Sequence, residues 1–168
     1  DYPIIKDSYQ TVFSPQTAYQ MTSILEGVVK RGTAKKIKDL KLNIAGKTGT
    51  TNKNTDTWFI GFTSNLLIGV YVGSDNPVSL GKYETGSKTA LPIFKEFIKK
   101  VVKKSEARPF KAAKGTVMMV VDPITGQKAK FTSKNTIIEV YKKENVINGE
   151  VLYSNNDRLD VNNILKFY

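Results

Sequence analysis

Two apolar segments, residues 57–63 and 66–73, are separated by only two polar residues. Both are rich in β-branched and aromatic side chains, which favours extended strands. A two-residue connection joins antiparallel neighbours, because parallel strands need a long crossover. The sequence therefore predicts an antiparallel hairpin, and its nearly continuous apolar character predicts strands covered on both faces. Trp58 and Phe59 are interpreted as core residues of this hairpin.

Helical periodicity flanks the hairpin on both sides. Ser14 and Pro15 favour a helix start, and apolar residues then recur at helical spacing until Gly32 favours the helix end. The residues from there to position 41 are interpreted as a linker. Residues 90–104 carry one apolar stripe with charged residues opposite, which predicts a helix packed on the sheet. The expected fold class is α+β, an antiparallel sheet packed by helices.

The pattern changes after position 107, where turn residues alternate with short apolar runs. This pattern is typical of a small β-rich unit. Its predicted elements are a strand at 115–121, a turn at 122–126, a return strand at 127–132, a further candidate strand at 137–141, and a surface loop or short helix at 155–163. We therefore divide the chain into residues 1–107 and a β-rich C-terminal extension, residues 108–168.

The chain of 168 residues contains neither Cys nor His. Ser-His-Asp and Cys-His catalysis, thiol redox chemistry and the usual zinc sites require these residues. We expect no cofactor and no metal, and acid–base chemistry near neutral pH would have to use Lys, Tyr, Asp or Glu. No apolar run approaches the roughly 20 residues that span a bilayer, and no signal peptide begins at Asp1. We expect a mature or trimmed chain without the anchor of its parent.

The net charge of +11 raises the question of a nucleic-acid partner. Readers of nucleic acid rely strongly on arginine, and here arginine occurs only at Arg31, Arg108 and Arg158. The lysines are spread along the chain, which is typical of a solvated surface. We expect no nucleic-acid partner, and a basic nucleic-acid-binding module is the less favoured alternative.

The tripeptide Gly46-Lys47-Thr48 resembles the end of a phosphate-binding loop, but its context does not fit. That motif requires a first glycine at position 41, where Lys41 stands. It also requires a helix after the loop, whereas residues 51–57 are poor helix formers. The sequence therefore argues against a nucleotide site.

Residues 42–50 fit a strand better. Alternation then places Thr48 and Thr50 on one face, and Lys47 and Gly49 on the other. Two hydroxyls on one face can hold a carboxylate, a glycine lets a ligand backbone approach closely, and the lysine supplies positive potential. An ordinary half-exposed strand would also satisfy so short a motif.

Longer segments add context to this Lys-Thr-Gly motif. It is the third signature of the penicillin-recognising serine enzymes, where it accompanies S-x-x-K and S-x-N. Residues 14–102 resemble the C-terminal half of the transpeptidase domain of class A penicillin-binding proteins. The matching segments, in the order found in the family, are SPQTAYQMTSILEGVVKRGTA, IAGKTGTTNKNTDTWFIGFT, IGVYVGSDNP and ETGSKTALPIFKEF. The resemblance implies part of the penicillin-binding, β-lactamase-like fold.

The resemblance also implies the roles of individual residues. Thr48, Gly49 and Thr50 would bind substrate, with the two hydroxyls on the terminal carboxylate of a D-alanyl-D-alanine stem peptide or of a β-lactam. The implied catalytic residues are Lys47, which would orient the S-x-N serine, and Thr50, whose backbone N–H would donate to the oxyanion. In this family a serine forms an acyl-enzyme that an amine of a neighbouring stem peptide resolves.

The other two family signatures do not precede Lys47 in this chain. Ser79 and Lys82 fit S-x-x-K, and Ser74 and Asn76 fit S-x-N, but both pairs follow the motif on a predicted loop without a helix start. We interpret both as chance matches, because a motif requires its structural context. The nucleophile is expected in a missing N-terminal half, and the fragment alone is predicted to be inactive.

The resemblance finally implies a setting for the chain. It would be a fragment of a peptidoglycan synthase that lies outside the cytoplasmic membrane and meets the membrane only through an absent N-terminal anchor. Implied partners are the peptidoglycan stem peptide, β-lactam antibiotics and the missing half of the domain. A catalytically silent binding or interaction domain with the same fold is the alternative.

Overall fold

The computed structural model describes residues 10–76, 78–103, 107–130, 132–147 and 150–151. Of these, the residues within Met21–Ala112 form one compact unit, and those within Asp1–Gln20 and Ala113–Tyr168 form a second. The described elements in chain order are α1 (Pro15–Arg31), a 3-10 helix (Lys35–Leu40), β1 (Ala45–Thr50), β2 (Thr57–Phe62), β3 (Leu67–Val72), α2 (Ala90–Val101), β4 (Thr116–Val121), β5 (Ile137–Lys142), a 3-10 turn (Lys143–Asn145), β6 (Val146–Ile147) and β7 (Glu150–Val151). The predicted segment 155–163 lies outside the described residues.

The first helix begins where the sequence predicts. The Ser14 hydroxyl accepts a hydrogen bond from the Thr17 N–H at 3.2 Å, which satisfies one of the free donors at the helix start. Pro15 is the first helical residue, and the helix ends at Arg31, directly before Gly32. None of the described helices is long and apolar enough to cross a membrane.

The three strands of the larger unit form an antiparallel sheet in the order β1-β2-β3. β2 pairs with β3 from Thr57 opposite Val72 to Phe62 opposite Leu67, which confirms the predicted hairpin. The Thr63 N–H donates to the Leu66 carbonyl at 2.8 Å and closes the turn between them. β1 begins three residues after the predicted start of its strand, at Ala45.

The core of this unit lies between α2 and one face of the sheet. Phe59 and Phe94 are both fully buried, and their rings meet edge to face with centroids 4.7 Å apart. Ile37 and Leu40 of the 3-10 helix join this core. The prediction of a linker at these positions is therefore wrong, because two apolar residues three apart fold into a helical turn that buries both.

The opposite face of the same sheet is exposed. It carries the large apolar side chains of Trp58, Ile60, Leu67 and Tyr71, whose exposed fractions range from 43% to 69%. The prediction of strands covered on both faces is therefore wrong for the described residues. Phe59 is a core residue as predicted, but Trp58 is not, because the alternation of the strand turns it away from α2.

In the smaller unit, β4 pairs with β5 over its whole length, from Thr116 opposite Lys142 to Val121 opposite Ile137. The return strand predicted at 127–132 is wrong for the described residues, where only an isolated bridge joins Val121 to Lys128. The turn before it is a tight one, since the Asp122 carboxylate accepts hydrogen bonds from the N–H groups of Ile124 and Thr125. These two bonds lower the pKa of Asp122.

The core contact between α2 and β2 generates a stability prediction. Phe94→Ala should reduce the free energy of unfolding by about 3–5 kcal/mol, because it removes a fully buried ring and leaves a cavity against Phe59. Phe97→Ala is the matched control on the same helix, since Phe97 is 48% exposed, and it should cost about 1 kcal/mol or less. Urea unfolding of the chain measures both, and equal losses would contradict this account of the core.

Candidate active site

Strand β1 carries the Lys-Thr-Gly motif at one edge of the sheet. Thr48 lies opposite Phe59, and Thr50 lies opposite Thr57. Because directly opposed residues share a face, both threonine side chains stand on the face that α2 covers. Lys47 and Gly49 stand on the other face, opposite Ile60 and Trp58. The structure thus gives β1 two chemically different sides, hydroxyls on one and an amine on the other.

The backbone of β1 offers hydrogen-bonding groups along its outer edge. The Thr51 N–H donates to the Asp56 carbonyl at 3.0 Å, so the amide of Thr51 points towards β2. In an antiparallel pair the amides of alternate residues point in opposite directions, and those of Thr48 and Thr50 therefore point away from β2. Among the described strands, only β2 pairs with β1. An extended ligand backbone can pair with this edge.

The two threonine hydroxyls both have partners within the same unit. The Thr50 hydroxyl oxygen accepts a hydrogen bond from the Gly86 N–H at 3.1 Å. An amide N–H can only donate, so the hydroxyl hydrogen of Thr50 stays available for a ligand. The Thr48 hydroxyl lies 2.9 Å from the hydroxyl of Thr33, which follows the end of α1.

Gly86 packs directly on the backbone of the sheet. A Cβ at this position would lie 2.7 Å from the Gly49 carbonyl oxygen and closer still to that of Trp58. Only glycine fits such an approach of one backbone to another. The Gly86 carbonyl in turn accepts the Leu91 N–H at 2.8 Å, in the first turn of α2. The start of α2 is thereby tied to the middle of β1.

Lys47 extends along the edge of its own strand. Its ammonium group donates to the Thr48 carbonyl oxygen at 3.0 Å, and its side chain is exposed. An ammonium carries three N–H donors, and two of them have no partner among the described residues, so they can serve an anionic ligand or a neighbouring hydroxyl. The positive charge therefore sits beside the outward-pointing backbone groups of β1.

A polar network closes the turn between β1 and β2. The Thr51 hydroxyl oxygen accepts the N–H groups of Thr55 at 3.1 Å and Asp56 at 2.9 Å. The Tyr71 hydroxyl donates to the Asp56 carboxylate at 2.7 Å. This bond is the main cause that lowers the pKa of Asp56, and the same carboxylate raises the pKa of Tyr71. The network holds the end of the edge strand against β3.

The segments that match S-x-x-K and S-x-N lie in the loop that follows β3. The Ser79 hydroxyl accepts the Gly81 N–H at 3.2 Å, and no described helix begins at this serine. The loop is tied back to the turn after β1, because the Asn54 side chain donates to the Gly81 carbonyl at 3.1 Å. Ser79 and Lys82 therefore do not share a helical face.

Among the described residues, no group of three or more acidic side chains could hold a metal ion.

Sequence reasoning missed three contributors to this site: Thr33, Gly86 and the pair of Asp56 with Tyr71. The contact of Asp56 with Tyr71 could have been predicted from the hairpin, because its register brings the end of β3 near the turn before β2. The contacts of Thr33 with Thr48 and of Gly86 with Thr50 join positions that are 15 and 36 residues apart, and no local sequence pattern predicts them.

Comparison with known proteins shows the family of the chain. A family model described as the penicillin binding protein transpeptidase domain matches residues 6–99. The match covers more than half of the chain, and the chain belongs to the penicillin-binding protein transpeptidase family.

Individual relatives point to one subgroup of this family. Penicillin-binding protein 1A of Rickettsia conorii is 41% identical over 160 residues, which is 94% of this chain and 20% of the relative. The protein of that name from Pseudomonas aeruginosa is 38% identical over 145 residues, 80% of this chain and 18% of the relative. The chain therefore spans about a fifth of the length of these relatives.

A solved structure shows the same fold. The crystal structure of penicillin-binding protein 1A from Haemophilus influenzae superposes with a TM-score of 0.69 at 28% identity, over 85% of this chain and 22% of that one. The predicted fold class, an antiparallel sheet packed by helices within an α+β arrangement, is confirmed.

The close packing of Gly86 generates a second stability prediction. Gly86→Ala should destabilise the chain by about 1–3 kcal/mol, because the added methyl group overlaps backbone oxygens that cannot rotate away. The control is Gly69→Ala in β3, where an added Cβ meets no atom within 4 Å, and its effect should stay within about 1 kcal/mol. Thermal unfolding compares the two, and similar midpoints would refute the tight contact.

The pair of Tyr71 and Asp56 generates a pH prediction. A carboxylate whose folded pKa lies below the ordinary 3.8 stabilises the fold above the unfolded pKa, and this contribution is lost as the pH falls through the folded pKa. Tyr71→Phe should therefore lower the unfolding midpoint at about pH 7, and the difference from wild type should shrink as the pH falls below the ordinary carboxyl pKa of 3.8. Tyr83→Phe, at an exposed loop tyrosine, is the control. A pH-independent difference would argue against the pair.

Proposed function

We propose that the chain forms one wall of a peptidoglycan D,D-transpeptidase site, which crosslinks stem peptides through a serine acyl-enzyme. The observation that carries the proposal is the edge strand itself. Thr48 and Thr50 present hydroxyls beside a backbone edge with which no further described strand pairs, and the Gly86 N–H leaves the Thr50 hydroxyl hydrogen available. A carboxylate can only accept hydrogen bonds, so these donors match the C-terminus of a stem peptide.

The proposed reaction begins when the nucleophilic serine attacks the carbonyl carbon of the penultimate D-alanine. The carbonyl oxygen becomes an oxyanion, which the outward Thr50 N–H stabilises together with a donor from the segment that carries the serine. The terminal D-alanine leaves with a proton on its new amine. An amine of a second stem peptide then attacks the serine ester, forms the crosslinking amide and restores the serine hydroxyl.

Within this scheme Lys47 supplies electrostatic attraction and orientation. Its two free N–H donors can reach a substrate carboxylate or the serine of an S-x-N motif in the other half of the domain. Gly49 has no side chain above the edge, so an extended ligand can approach the backbone between the two threonines. The same groups would receive a β-lactam, whose carboxylate and reactive carbonyl resemble those of the stem peptide.

The exposed face of the sheet supports the proposal that another segment of the same domain completes the site. Trp58, Ile60, Leu67 and Tyr71 form an apolar surface beside Lys47. Exposed apolar surfaces of this kind are typical of contacts with a partner. We propose that the N-terminal half of the transpeptidase domain covers it and carries the nucleophile. The active protein would then be a membrane-anchored synthase that works outside the cytoplasmic membrane.

Labelling of the full-length parent with a fluorescent penicillin tests the proposed site. Replacing Thr48 and Thr50 together by valine removes both hydroxyls at nearly constant volume. Hydrogen bonds to a charged group contribute about 1.5–3 kcal/mol each, so the loss of two should slow labelling by about a hundredfold or more.

Thr132→Val, at an exposed threonine of the smaller unit, is the matched control for this double variant. Its labelling rate should equal that of the wild type. Absence of labelling in the wild-type parent would instead favour a catalytically silent interaction domain.

The 168-residue chain provides an independent test. Because losing the nucleophile removes nearly all catalysis in a site that works as a unit, the chain alone should gain no mass on exposure to penicillin. Intact-mass spectrometry measures this directly. A stoichiometric adduct on Ser79 would show that the out-of-order S-x-x-K match is reactive after all.

A further inference from the structure

One side chain beside β1 has no role in the proposed reaction. Thr33 lies in the turn between α1 and the 3-10 helix, and its hydroxyl oxygen is 2.9 Å from that of Thr48. Thr33 is exposed, so its hydroxyl could be solvated by water without any partner. Its hydrogen bond with one of the two proposed carboxylate-binding hydroxyls is therefore not needed to satisfy a buried group.

The backbone on both sides of Thr33 is held firmly. The N–H groups of Gly32 and Ala34 both donate to the Val28 carbonyl, at 3.1 and 3.2 Å. Ala34 is fully buried, and a Cβ on Gly32 would lie 2.9 Å from the Val28 Cα. The turn therefore fixes the position of the Thr33 side chain relative to the end of α1.

The direction of the hydrogen bonds follows from the ligand. A hydroxyl has one hydrogen to donate, whereas a bound carboxylate offers only acceptors. When Thr48 donates to a carboxylate, its oxygen must accept from Thr33. The Thr33 hydroxyl then acts on Thr48 as the Gly86 N–H acts on Thr50, since each donates to the threonine oxygen and leaves the hydroxyl hydrogen for the ligand. Donors arranged in such a chain strengthen one another.

We propose that Thr33 is a positioning residue of the carboxylate-binding site. It donates to Thr48, holds that hydroxyl in the rotamer that faces the ligand and leaves its hydrogen directed at the carboxylate. This inference rests on the proposed function and adds to it a residue from a different element. Thr33 acts through Thr48 and does not itself touch the substrate.

The test uses the full-length parent and the second-order rate of acylation by a penicillin. Thr33→Val should slow acylation about three- to tenfold, which corresponds to one lost hydrogen bond. Thr33→Ser, which keeps the hydroxyl, should restore most of the rate. Thr132→Val is the control and should leave the rate unchanged, and thermal unfolding of all variants should match the wild type.

Two further measurements separate positioning from a direct contact. In the Thr48→Val background, Thr33→Val should have no further effect, because the residue through which it acts is gone. With penicillin methyl ester, which has no carboxylate, Thr33→Val and wild type should react at equal rates. Additive effects of the two substitutions, or equal slowing with acid and ester, would overturn the proposal.

The outcomes also separate this inference from the proposed function. A wild-type parent that penicillin does not acylate would overturn the proposed function. A parent that is acylated, and whose rate does not respond to Thr33→Val, would overturn the role of Thr33 alone.

Discussion

The antiparallel register of β1 against β2 determines what the candidate site can present. With Thr48 opposite Phe59 and Thr50 opposite Thr57, both hydroxyls share a face, and the amides of both threonines point to the edge with which no further described strand pairs. A slip of one residue would move Lys47 and Gly49 into the place of the threonines and would direct the amides of Thr48 and Thr50 into the sheet. Gly46 opposes such a slip, because any other residue in its place would put a Cβ 2.8 Å from the ring of the buried Phe59.

The elements that build the core therefore also position the residues of the candidate site. α2 buries the inner face of the sheet, and the segment before α2 brings Gly86 onto β1. The end of α1 brings Thr33 to the same strand from the other direction along the chain. A strand at the edge of a sheet has half of its backbone groups unpaired, and these contacts restrain it where pairing does not.

Much of this could be predicted from local patterns. The hairpin, the stripe of α2 and the capped start of α1 follow from periodicity, and the alternation of Thr48 with Lys47 follows from strand geometry. The face on which Trp58 lies could not be predicted, because an apolar strand residue does not reveal which side its neighbours cover. The partners of Thr48 and Thr50 come from distant positions, so their identity depends on the tertiary fold.

The hydrogen bond that the Gly86 amide donates to Thr50 affects how strongly ligand binding would depend on salt concentration. A hydroxyl oriented from behind by a neutral amide attracts a carboxylate through short-range directional bonding, and dissolved ions screen this far less than attraction between charges at a distance. Lys47, whose ammonium lies at the Thr48 carbonyl oxygen, adds a charge that acts over a longer range. A site in which neutral donors orient the ligand should therefore lose less affinity at high ionic strength than a site built on ion pairs alone.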